Sequence, residues 1–301
     1  MVSRKSRKGL LRSPVGTRIV GKAAADAVER LPFGEVITGL KSAQQELKIE
    51  NRRQDLLDQL FGTSEPICLL GSDDHPQFPL LPGELVYPSD RNAAQRIREA
   101  FFKQMDFKEV TEYVPGESTD SLIALGSSVA TPMTRRLLGD PRARKPRMRI
   151  WLPEYKYEIS LHFNHVAPDP RAPLVENFQE GREMPWQEYN WGIVAPGREY
   201  FPRYEKGRLV TDYLLVTRIP SPVRGAGDIL MFGGCHGAGT QATELLLTSL
   251  DYSALENLIS KVGRSSHFQA LFLITDISHE GHSCGHDIHL VDAKAVLVRR
   301  R

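Results

Sequence analysis

At 301 residues, with 41% apolar and 25% charged content, the chain is long enough for one sizeable core and ordinary for a globular protein. A net charge of +2 gives no overall bias toward acidic or basic partners, and no apolar run nears the ~18 residues of a membrane-spanning helix. Cys68, Cys235 and Cys284 are too scattered for a disulfide framework, so a soluble, cytoplasmic protein in a reducing setting is expected.

The charge is unevenly spread. Residues 1–22 carry Arg4, Lys5, Arg7, Lys8, Arg12, Arg18 and Lys22 with no acid, and lack the apolar centre of a secretory signal. They read as a disordered basic tail. An Ala-rich helix is expected over Gly21 to Leu31, broken at Pro32-Phe33-Gly34. A second, densely charged helix follows from about Val36 to Phe61, giving an N-terminal helical hairpin within residues 1–62. Residues 63–301 then read as the main domain.

Its first strand is Ile67 to Leu70, ending on Gly71-Ser72 and a polar turn, Asp73-Asp74-His75. Asp90 is placed to cap a helix through Ala93, Ile97, Ala100 and Phe101. Lys108 to Val114 alternates as a short strand, and Asp120 to Gly126 forms a buried one. Gly126-Ser127-Ser128-Val129-Ala130-Thr131-Pro132 then leads into a helix from Met133 to Leu138, with Thr131 as cap and Pro132 in the first turn. Between residues 150 and 205 prolines, aromatics and alternation indicate a β-rich insertion. Strands are expected at Tyr213 to Thr217, Ile229 to Phe232, Ala270 to Ile274 and within His289 to Val298. Helices are expected over Thr240 to Leu250 and Leu255 to Val262.

The most informative stretch is Asp228 to Leu247, an apolar strand, a glycine-rich turn and a helix. Gly233, Gly234, Gly237 and Gly239 allow the backbone to approach an anion closely, and Thr240 can cap the helix. In a mainly parallel sheet the turns after three strands open on one edge, where ligands bind. Gly71, Ser72, Gly126, Ser127, Ser128, Thr131, Gly233, Gly234, Gly237, Gly239 and Thr240 are therefore the candidate ligand-binding residues. Ser127, Ser128, Thr131 and Thr134 suit a phosphate, with Arg135 and Arg136 behind them; ordinary helix capping explains the same residues. The turn is not a Walker A loop, since no Lys-Ser/Thr follows its last glycine.

Gly237-Ala238-Gly239-Thr240 followed by Glu244 resembles the Gly-x-Gly-Thr…Glu signature of the lysine-decarboxylase-like, LOG-type Rossmannoid proteins. It is also similar to the Gly-Thr…Glu element of nucleoside deoxyribosyltransferases, whose wider group includes TIR-like NAD-cleaving domains. The resemblance covers about a dozen residues. Cys235-His236 replaces the Pro-Gly of the LOG-type motif, and the glutamate comes one residue late. It implies a nucleotide or nucleoside ligand, NAD among them, and a catalytic role for Glu244 at C1′ of the ribose. A solvated helix carboxylate is the plainer reading of Glu244.

His279, His282, Cys284 and His286, with His289 close by, offer nitrogen and sulfur ligands for zinc, but their spacing matches no zinc motif; a polar connection between two strands accounts for them, and no metal is expected. Without interleaved aromatics or a helix-turn-helix pattern, the basic runs do not point to nucleic acid. The sequence thus predicts a three-layer Rossmann-like α/β domain with a mainly parallel sheet, a helical N-terminal segment and a β-rich insertion. The expected function is nucleotide or nucleoside binding, with cleavage of an N-glycosidic bond of NAD or a nucleoside. The alternative is a non-catalytic nucleotide sensor acting on a protein partner through the N-terminal helices.

Overall fold

The computed structural model describes residues 33–61, 67–70, 88–101, 107–109, 121–128, 131–139, 147–152, 157–167, 191–206, 208–221, 227–248, 251–263, 265–278 and 284–300. The chain divides into two compact units, residues 1–55 and 56–301. In the first, the described part belongs to helix α1 (Phe33–Phe61), which continues across the division. The helix expected over Gly21 to Leu31 lies outside the described residues.

The second unit is built on a mixed eight-stranded sheet. Strands β1 (Ile67–Leu70), β2 (Phe107–Glu109), β3 (Leu122–Leu125) and β11 (Asp228–Gly234) pair in parallel, in the order β2-β1-β3-β11. Beyond β11 the pairing turns antiparallel through β10 (Arg208–Pro220), β12 (Phe268–Ser278) and β13 (Cys284–Ala295), and β9 (Arg203–Glu205) also pairs with β10. The expected mainly parallel, Rossmann-like sheet is therefore incorrect. The reason lies in the connections: residues 221–227 and 279–283 are far shorter than the dozen or more residues a parallel crossover needs, so each joins antiparallel neighbours.

Side-chain alternation covers both faces of this sheet. Ile123, Leu125, Leu214, Val216, Leu230, Phe232, Ala270 and Phe272 point into a core shared with Leu56, Leu57 and Leu60 at the end of α1 and with three further helices. These are α2 (Pro88–Phe101), α5 (Thr243–Thr248) and α6 (Ser253–Val262). On the opposite face Leu122, Ala124, Ile229 and Met231 meet α3 (Pro132–Leu138) and the small sheet of β4 (Arg149–Leu152), β5 (Tyr157–Ser160) and β14 (Leu297–Arg300). A second small sheet, β6 (Asn164–Val166), β7 (Gly192–Ala195) and β8 (Arg198–Tyr200), contributes Ile193 to a third cluster with Leu215, Cys235 and Leu271. Two antiparallel sheets thus stand where a Rossmann-like fold would place a full second layer of helices.

Two buried amides fasten the second small sheet. Gln269 Oε1 accepts from the His162 and Phe163 amides at 2.7 and 2.9 Å, and its Nε2 donates to the Phe163 carbonyl and Thr217 Oγ1 at 2.9 and 3.1 Å. Asn164 Nδ2 donates to the Leu138 and Arg147 carbonyls at 2.9 and 2.8 Å. Both side chains use donors and acceptor alike, which is what makes their burial tolerable. At the other end of the sheet, Arg218 pairs with Asp228 at 2.8 Å and donates to the Gln59 and Leu60 carbonyls, satisfying the last turn of α1.

Candidate functional site

Because β3 and β11 are parallel neighbours, with Phe232 opposite Leu125, the chain leaves both strands at the same edge. The Gly126 amide donates to the Phe232 carbonyl at 2.9 Å, holding the start of the turn after β3 beside the end of β11. Glycine at 233 is a steric requirement: a Cβ there would lie 2.8 Å from Ser127 Cα and 3.2 Å from His165 Cε1.

β10 runs the opposite way, so its early residues reach this same edge. Asp212, 0% exposed, turns its carboxyl into the glycine turn. Its Oδ2 accepts from the Gly239 amide at 2.6 Å and the His236 amide at 3.2 Å, and Oδ1 accepts from its neighbour Tyr213 at 2.8 Å. A Cβ at Gly239 would stand 2.8 Å from that Oδ2, so this glycine serves the approach of the protein's own carboxyl. Of the amides expected to receive an external anion, that of Gly239 is thus filled from within. Burial pushes Asp212 up to about 7, against the three amides, which favour its ionised form.

The hydroxyls expected to face a ligand are also mostly engaged. Helix α4 (Gly237–Gln241) begins before Thr240, which therefore does not cap it; Thr240 Oγ1 accepts from the Gly234 amide at 3.1 Å. Thr131 makes no side-chain cap bond and donates to the Leu125 carbonyl at 2.9 Å, while Thr134 donates to the Gly126 carbonyl at 3.3 Å. Arg135 Nε donates to the Ser128 carbonyl at 2.9 Å.

Three buried side chains around the same edge keep polar atoms without a protein partner: Asp90 Oδ2, Ser128 Oγ, and both ring nitrogens of His165. Asp90 is 2% exposed, Ser128 0% and His165 1%. Each unmet atom of this kind costs about 1–3 kcal/mol, so their gathering calls for a reason beyond packing. Asp90, expected as the cap, belongs instead to the first turn of α2, which starts at Pro88, a residue suited to a first helical position. Asp90 is thereby drawn inward, its Oδ2 lying 2.7 Å from where a Cβ on Gly126 would be. Burial pushes Asp90 up to about 7, with the Ser89 hydroxyl pulling weakly the other way. His165 is held over Gly233 by β6, whose Asn164 is pinned as described. Burial lowers His165 to about 4, and the neighbouring Gly233 and Gly234 carbonyls, though outside hydrogen-bond geometry, oppose this.

Toward solvent, Tyr204 Oη and His236 Nε2 lie 2.7 Å apart with their rings edge to face. Both residues keep part of their surface exposed, and burial still lowers His236 below the ordinary imidazole value. Gly237 is exposed, and the position of a Cβ on it lies 3.4 Å from Ser89 Cβ, so the start of α2 and the glycine turn meet at this rim. Cys235 is buried, and burial followed by the Asp212 charge raises its thiol well above the ordinary range, which makes it a poor nucleophile.

No protein-family model, curated protein or solved structure matches this chain. Glu244 forms an ion pair with Arg96 of α2 at 3.3 Å, with 40% of its side chain exposed. Gly71, Ser72, Asp73, Asp74, His75, His279 and His282 lie outside the described residues. Cys284 and His286 sit at the start of β13 with Sγ and Nε2 3.9 Å apart, and His289 pairs instead with Asp287 at 2.8 Å. Among the described residues no group of three or more metal-ligating side chains forms. Asp212 and His165 were missed from sequence. An acid within the apolar run of β10 was a usable signal for the first; for a histidine in a short alternating strand there was none.

Proposed function

We propose that this chain binds a nucleotide or nucleoside at the shared edge of β3 and β11. The observation that carries the reading is the convergence there of Asp90 Oδ2, Ser128 Oγ and the His165 ring, all buried and all without a protein partner. Hydroxyls and ring nitrogens of a sugar and base are complementary to such a set, and the Tyr204–His236 pair offers aromatic surface at the rim. Cleavage of an N-glycosidic bond is the reaction this chemistry suits. A carboxyl pushed toward neutrality, such as Asp90, can protonate a departing base; Glu244, to which the resemblance assigns the sugar cation, is engaged by Arg96 in an exposed ion pair.

The test is incubation of the full chain with NAD and with the common nucleosides, followed by chromatography of the released base. Base release that falls at least tenfold in Asp90→Asn or Glu244→Gln supports the enzyme. Binding without release supports the second reading, a sensor. That reading is favoured by the commitment of Glu244 to Arg96 and of Asp212 to backbone amides, and by the exposure of Leu47 and Ile49 on α1, apolar positions suited to a protein partner. Neither binding nor release overturns both.

A further inference from the structure

We infer that the site accepts its ligand through an uncharged, hydroxyl- and amide-bearing portion and excludes phosphate, with Asp212 acting as a built-in anion. This rests on the nucleotide-or-nucleoside reading and narrows it to the nucleoside, without its phosphate.

A glycine turn running into a helix draws phosphate through free amides. Here the His236 and Gly239 amides both donate to Asp212 Oδ2, the Gly234 amide donates to Thr240, and the Cys235 amide donates to the Tyr213 carbonyl at 3.0 Å. An incoming phosphate would have to evict a carboxyl that is wholly buried and hydrogen-bonded at both oxygens. It would also approach a second buried carboxyl, Asp90. The Arg135 guanidinium, which could offset that repulsion, has its Nε turned onto the Ser128 carbonyl. The polar atoms left unmatched are an acid oxygen, a hydroxyl and an imidazole. They can accept from sugar hydroxyls or an exocyclic amine and donate to a ring nitrogen or carbonyl. None of them carries the fixed positive charge that strengthens phosphate recognition.

The experiment is calorimetric titration of the full chain at pH 7.5 with adenosine, guanosine, cytidine and uridine, then with the matching 5′-monophosphates, and again in excess inorganic phosphate. The expected result is at least one nucleoside that binds tenfold or more tighter than its own 5′-monophosphate, with no competition from inorganic phosphate. A 5′-phosphate that strengthens binding of the same nucleoside, or competition by inorganic phosphate, overturns the inference and leaves the nucleotide reading standing. Failure of every nucleoside and nucleotide to bind overturns the nucleotide reading and this inference with it. Asp212→Ala supplies a second arm in which freed amides should raise 5′-monophosphate affinity relative to the nucleoside. Should that variant fail to fold, the wild-type comparison still decides.

Discussion

The Asp212 carboxyl and the Gly239 amide, 27 residues apart in sequence, meet at 2.6 Å and close the glycine turn from inside. One side chain thereby ties β10 to the start of α4 and occupies the position that the glycine pattern reserves for an anion. Asp212→Ala would leave the Gly239 and His236 amides buried without acceptors. The expected loss is about 2–4 kcal/mol of folding stability, read from urea denaturation. A loss under ~0.5 kcal/mol would mean that the turn holds its shape without the carboxyl.

Ser128 should behave in the opposite way. Its Oγ is buried and unpartnered, so Ser128→Ala removes an unmet polar group without emptying much volume. The unliganded protein should be unchanged or up to ~1 kcal/mol more stable, while affinity for the ligand falls. Thermal melting with and without ligand separates the two effects. Destabilisation of the unliganded protein would assign Ser128 to the fold rather than to the site.

The pH dependence of stability follows from opposed shifts. Asp90, pushed up to about 7 when folded from ~3.9 when unfolded, binds more protons in the folded state between those values. Through it, stability falls as pH rises from about 4 to about 7. His165, lowered to about 4 from ~6.5, binds more protons in the unfolded state, so through it stability rises with pH between about 4 and 6.5. Asp212 and His236 repeat the two signs, and the wild-type profile should be shallow over this window. His165→Gln should unmask a stability that declines from pH 4 to 7, and Asp90→Asn one that climbs from pH 4 to 6.5. Denaturation midpoints across pH give both slopes, and parallel profiles for the two variants would contradict the assignment.

Gln269 joins the 161–163 segment to β10 and β12 through four hydrogen bonds. Gln269→Ala strands the His162 and Phe163 amides and should cost about 3 kcal/mol or more. Because β6 carries His165, hydrogen exchange should accelerate in residues 161–166 of the variant before the rest of the main sheet responds.

Glu244→Gln removes one partner of an exposed ion pair with Arg96, so stability should change by no more than ~0.5 kcal/mol. A product assay on this folded variant is therefore a clean measure of any catalytic part Glu244 plays.

What the sequence determined by itself was local: the apolar runs that become β1, β3 and β11, the turns at Gly126 and Gly233 to Gly239, and a long helix ending at Phe61. These follow from side-chain period and backbone torsion, which neighbouring residues carry. The 221–227 and 279–283 connections are too short for parallel pairing, but the strands expected at Tyr213 to Thr217, Ile229 to Phe232, Ala270 to Ile274 and within His289 to Val298 are shorter than the real ones and leave gaps that hide this. Tertiary structure alone decided which strand lies next to β11 and, with it, what fills the glycine turn. A buried polar group takes its partner from whatever the strand order brings within ~3 Å, whether Asp212 for Gly239 or Gln269 for a segment 106 residues earlier. No local pattern records that distance, so Asp212 and His165 became visible as site residues only once β10 and β6 were in place.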